Sequence, residues 1–128
     1  MKPTKIQSYR DLDVWQEGIQ LALAVYRLTA KFPSHEQFGL VSQLRRCSVS
    51  VPSNIAEGHA RLSTREYLRH VSIALGSLAE LETQLLLAFE LKYVGEDQSG
   101  DLTASADRLG KRLRSLTKSL RERIEREF

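Results

Sequence analysis

Residues 45–59 read RRCSVSVPSNIAEGH, and the reading of this stretch decides the fold. Pro52 has no N–H and its ring meets the carbonyl four residues back, so in an unadapted helix interior it costs ~3 kcal/mol. Yet Leu40, Leu44, Cys47, Val51 and Ile55 recur at steps of three and four straight through it, the spacing of one face of an amphipathic helix. Ser48, Ser50 and Ser53 surround the proline with hydroxyls able to bind backbone groups that it frees. The stretch therefore reads as a helix kinked or briefly broken near Pro52. It is not a phosphate loop, because one glycine and no lysine cannot supply a nest of free N–H groups. Asn54 is expected to project near the interior and to need partners, and Gly58 to release the chain from the helix.

Outward from this helix the same periodicity recurs. Val14, Gly18, Leu21, Val25, Leu28 and Phe32 form a stripe that Pro33 stops. Ser34-His-Glu-Gln37 has the form of a capping box opening the second helix, and Ser63-Thr-Arg-Glu66 of one opening the third. The third stripe is Leu68, Val71, Leu75, Leu78, Glu82, Leu85 and Phe89, with Gly95 marking the exit as a helix-ending glycine. Leu102, Ala106, Leu109, Leu113, Leu116, Leu120 and Ile124 make the fourth. Nothing alternates with period two over a strand's length. Short loops make an all-α, antiparallel up-down four-helix bundle the economical fold. The spacing predicts helices near 12–32, 35–61, 64–93 and 100–126 after a lead-in over 1–10, all in one domain.

With 128 residues, 41% hydrophobic and 27% charged, the chain can bury a core without staples. The lone Cys47 cannot make an internal disulfide. The N-terminal residues lack the apolar segment of a signal peptide, and no apolar run looks long enough to span a bilayer. The expectation is a cytoplasmic protein that uses no membrane and no cofactor.

Net charge is only +3 but uneven: residues 43–70 and 101–128 are basic, while 71–100 hold five acids against Lys92. Phosphate attraction to RNA or DNA is thus permitted. Arg61, Arg65 and Arg69, spaced by four, and Arg108, Lys111, Arg112, Lys118 and Arg121 are the candidate contacts. Nine aromatic residues, several on core stripes, leave little for base stacking, so binding at backbone level is all that is expected. The competing reading is a solvated polar face.

Other chemistry is sparse. A di-metal carboxylate site in a bundle needs Glu-x-x-His motifs, and none occurs, so no metal is expected. Cys47, on a core stripe, reads as a small apolar filler. Arg65-Glu-Tyr-Leu-Arg-His70 is a literal Arg-x-x-x-x-His that resembles the signature of HEPN ribonucleases. There His70 would act as general acid–base beside an Arg65 that steadies phosphate charge.

Gln43-Leu-Arg-Arg46, Val49-Ser-Val-Pro-Ser-Asn-Ile-Ala-Glu-Gly58 and Gly76-Ser-Leu-Ala-Glu-Leu-Glu-Thr83 resemble the four helix bundle protein family. That family includes proteins encoded in intervening sequences of large-subunit ribosomal RNA, and accessory variability proteins of diversity-generating retroelements. Asp11-Leu-Asp-Val-Trp15 is also similar to the family's opening. The resemblance spans roughly residues 9–120 and implies an antiparallel bundle assembled with itself as a homopentameric ring. For the retroelement branch it also implies nucleic acid and a reverse transcriptase as partners. Glu82, on an apolar stripe, would be costly unpaired. A buried network of Arg45 or Arg46, Asn54 and Glu82 is the expectation, setting register or an oligomer contact more than stability. A non-enzymatic scaffold is the favoured reading, with the ribonuclease and a protein-interaction module as alternatives.

Overall fold

A computed structural model describes residues 5–127. Four helices follow in order: α1 Asp13–Thr29, α2 Leu40–Ala60, α3 Thr64–Glu90 and α4 Glu96–Arg126. Short 3-10 turns, Tyr9–Asp11 and Ser34–Glu36, precede the first two. The helices run up, down, up and down. Among the described residues there is no strand.

The core is one cluster fed by all four helices, including Val25, Leu44, Val51, Ile55, Val71, Leu78, Leu81, Leu85, Leu109 and Leu113. On α3 the buried line runs through Val71, Ala74, Leu78, Leu81, Leu85 and Ala88, while Leu68, Leu75, Glu82 and Phe89 are only half-buried. The stripe drawn from the sequence thus shares Val71, Leu78 and Leu85 with the buried line but leans toward the α4 side through its other members. Counting only large apolar residues had shifted it, since Ala74 and Ala88 are fully buried too. By length and composition alone α3 is also apolar enough to cross a membrane, contrary to the expectation from apolar runs. Its inner face is this core.

α2 is a single element through Pro52. The proline is buried against α1, where a Cβ placed on Gly18 would lie 3.2 Å from the Pro52 Cβ. The bare backbone of Gly18 therefore admits the ring, and the packing offsets part of the proline's cost. Gly58 lies inside α2 and releases nothing; a Cβ there would sit 2.7 Å from His70 Cβ on α3. Its role is close approach of two helices.

The caps differ from expectation in detail. Ser63 Oγ accepts from Glu66 N at 3.3 Å, as the sequence suggests. Ser34 makes no such bond: its residues form the 3-10 turn, and Glu36 Oε1 accepts from Leu40 N at 3.2 Å instead. At the end of α3 the left-handed residue is Lys92, φ 66. Tyr93 N reaches back to Ala88 O at 2.9 Å and Lys92 N to Phe89 O at 2.9 Å, a Schellman-type closure. Gly95, extended at φ −71 and ψ 159, is the residue before α4.

Candidate functional site: the polar seam between α2 and α3

Antiparallel pairing of α2 and α3 brings a row of polar side chains into register. Gln84 Nε2 donates to Gln43 Oε1 at 3.2 Å, and the Cys47 thiol reaches Gln84 Oε1 at 3.4 Å. One step down, Ser50 and Ser77 hydroxyls share a bond of 2.8 Å. Asn54 Nδ2 donates to Ser50 O at 2.9 Å and Ser50 Oγ at 3.0 Å. That leaves Asn54 Oδ1 turned to His70 Nδ1 at 3.0 Å. An amide oxygen only accepts, so Nδ1 of His70 carries the proton and donates.

At the lower end, Glu57 Oε1 takes Arg61 at 2.9 Å while Oε2 lies 3.9 Å from His70 Nδ1. The Arg61 hydrogen bond, then His70, hold the Glu57 carboxyl below the usual range. Gln84 is 7% exposed and His70 6%. A slip of α3 along α2 would strand these buried groups at about 1–3 kcal/mol each. The seam is a register lock, and catalysis finds little in it. Burial, then Glu80, push the Cys47 thiol up to about 11, so at neutral pH it is not a thiolate nucleophile.

Of the four residues expected to form one buried network, only Asn54 lies in this seam. Arg45 faces α1, where its Nε donates to Thr29 Oγ1 at 2.9 Å and its guanidinium sits 4.6 Å from the Tyr26 ring. Arg46 is exposed. Glu82 faces α4, where burial, then Asp107, raise its carboxyl against the opposing pull of Arg114. Within the chain the four are not brought together, because Glu82 and Asn54 lie on opposite flanks of α3. Gln84 and Ser77 were missed; their signal was a polar residue every seven positions, 70, 77 and 84, on the α2-facing edge.

The ribonuclease pair does not converge either. Five residues along a helix turn the side chain by about 140° from its start, which puts Arg65 on the exposed surface and His70 in the seam. Among the described residues no cluster of His, Cys, Asp and Glu could hold a metal ion.

The eight candidate cations scatter. Arg61 is engaged by Glu57 at 2.9 Å and Glu66 at 4.0 Å. Arg112 binds Glu17 at 2.8 Å and Asp13 at 3.8 Å, and Arg108 Nη2 donates to Ser105 Oγ at 3.2 Å; both face α1. Lys111 points outward. Arg65, Arg69, Lys118 and Arg121 are exposed toward the end of the bundle where Thr64 Oγ1 donates to Glu127 Oε1 at 3.2 Å, though Arg69 acts on Glu57 of α2.

The geometry defines an all-helical bundle locked by polar side chains. The chain matches the 23S rRNA-intervening sequence protein family over residues 10–115, and it belongs to that family. A solved protein of unknown function from the S23 ribosomal protein family of Bacteroides thetaiotaomicron is 22% identical and superposes with a TM-score of 0.75. The alignment covers 82% of this chain and 98% of that one. That likeness carries the fold, and neither comparison names a reaction. No curated protein matches.

Proposed function

We propose that this chain is a non-enzymatic scaffold that assembles with itself. The observation that carries the reading is the outer face of α3. Between Arg69 and Glu90 its exposed side chains are Ser72, Ile73, Gly76, Ala79, Glu80, Thr83, Leu86 and Leu87, with one charge among them. Leu86 and Leu87 are 59% and 51% exposed. An apolar strip of this kind on a bundle otherwise rich in surface charge is what an interface leaves exposed in a single copy. A second exposed apolar group, Leu23, Tyr26 and Val49, lies on α1 and α2. Two different apolar faces on one chain suit head-to-tail contact, which closes into a ring when the rotation permits. A homopentameric ring is the assembly we put forward.

Light scattering coupled to size exclusion, over a range of concentrations, tests it. Wild type is expected to run as a multiple of 14.6 kDa, and Leu87→Arg as a monomer with unchanged helicity. A wild-type monomer at every concentration would refute the scaffold reading.

One observation favours a second role: Arg69, Lys118 and Arg121 are all exposed toward the end of the bundle where α3 begins and α4 ends. Repeated around a ring, such a patch would hold RNA or DNA by its phosphates, with affinity falling steeply in salt. Gel shift of a short RNA by wild type but not by Lys118→Glu/Arg121→Glu is the expected result. Equal shifts by both would remove nucleic acid from the account.

A further inference from the structure

The geometry points to a ligand site that none of these roles uses, in the seam where α1 meets α4. Two adjoining clefts, of about 450 and 370 Å3, share Ala24, Leu102 and Ser105. Their cause is local. Ala24 and Ser105 lie opposite one another, leaving buried Leu21, Leu28 and Leu102 as an apolar floor. The lower cleft's acids, Glu17 and Asp13, are engaged by Arg112.

The upper cleft is different. Arg27 and Lys31 stand at its rim with one acid, Asp101, whereas Arg108, its guanidinium held to Ser105 at 3.2 Å, lines the lower cleft. Two cations against one acid around an apolar floor, in a volume within the range of small-molecule pockets, fit one kind of occupant. We infer that the upper cleft binds a small amphiphilic anion, its apolar body on Ala24, Leu28 and Leu102 and its carboxylate or phosphate between Arg27 and Lys31. Arginine can grip either head group through two parallel hydrogen bonds.

The test uses four ten-carbon probes below their micelle concentrations: decanoate, decyl phosphate, decanol and decylammonium. Titration calorimetry and thermal melting of the full chain give the readout. Decanoate and decyl phosphate should bind and raise the Tm; whichever binds more tightly identifies the head group. Decanol should bind at least tenfold more weakly and decylammonium not at all. Ala24→Leu fills the cleft, so it should keep or raise the Tm while abolishing binding. The surface double variant Arg27→Gln/Lys31→Gln, which cannot disturb the core, should weaken decanoate about tenfold and leave decanol unchanged. Decanol binding as well as decanoate, decylammonium binding at all, or undiminished binding by Ala24→Leu would each overturn the site. So would a change of mass in solution on Ala24→Leu, which would give the cleft to a second copy of the chain.

Discussion

Replacing Gly58 with alanine sets two physical effects against each other. Alanine is favoured over glycine in a helix interior by about 0.8–1.0 kcal/mol, and Gly58 is helical, so propensity alone says the variant is more stable. Packing says the reverse. The new Cβ would meet His70 Cβ at 2.7 Å, Tyr67 Cδ1 at 3.1 Å and the Tyr67 carbonyl at 3.3 Å. One of these atoms is backbone and another is fixed to it, so no rotamer change relieves the contact and a whole turn of α3 must retreat. Overpacking of this kind costs about 1–3 kcal/mol. The retreat also stretches the His70–Asn54 bond of 3.0 Å, worth about 1 kcal/mol. The net is a loss of about 1–3 kcal/mol, or a Tm lower by roughly 5–10 °C for a domain of this size. Gly100 is the control, for it is helical and exposed, and a Cβ there meets nothing within 4 Å. Gly100→Ala should gain about 0.5–1 kcal/mol. Urea unfolding followed by far-ultraviolet circular dichroism measures both, with slopes unchanged if only native-state packing has moved. A Gly58→Ala protein as stable as wild type would refute the close-approach argument.

Three further outcomes follow from particular contacts. Lys92→Gly relieves a left-handed lysine and should stabilise the chain by about 0.5–1 kcal/mol in the same urea assay. Asn54→Ala strands the His70 Nδ1 proton in the seam and should cost about 1–3 kcal/mol, read by thermal melting. Glu82 has its carboxyl raised from 4.5 by burial and then Asp107, so its contribution is best below the ordinary glutamate range and is lost as pH rises through the elevated value. Glu82→Gln should therefore raise the Tm at pH 7 and make no difference below about pH 4; an equal gain at both would show that charge is not the cause.

Much of this architecture was legible because helix periodicity survives substitution. Four stripes at steps of three and four located four helices, and Pro52 did not obscure the second because Leu44, Val51 and Ile55 bracket it on one face. What failed to read out depended on neighbours the sequence does not align. Glu82 stands on a line of large apolar residues, yet the true centre of α3 runs through two alanines, which moves Glu82 to the α4 flank and Gln84 to the α2 flank. Glycine misled twice. Gly58 and Gly95 look like exits, while one is a helix crossing and the other the residue before α4, and a lysine takes the left-handed position. The cations were countable from the sequence, but whether each meets an acid is a property of helical phase. Arg112 meets Glu17 for that reason, while Lys118 and Arg121 stand on another side of the same helix.

The unevenness of the seams bears on how the molecule comes apart. α2 and α3 are joined by only three residues and held by a close glycine crossing and a chain of buried hydrogen bonds, so they form a local unit of low contact order suited to fold early. α1 is the shortest of the four helices, about 26 Å long, and along α4 it leaves two clefts. Amide protons of α1 should exchange through a partial opening well before those of the α2–α3 pair. In that opened form the first helix swings away, the hairpin persists, and the inner face of the last helix is offered to solvent.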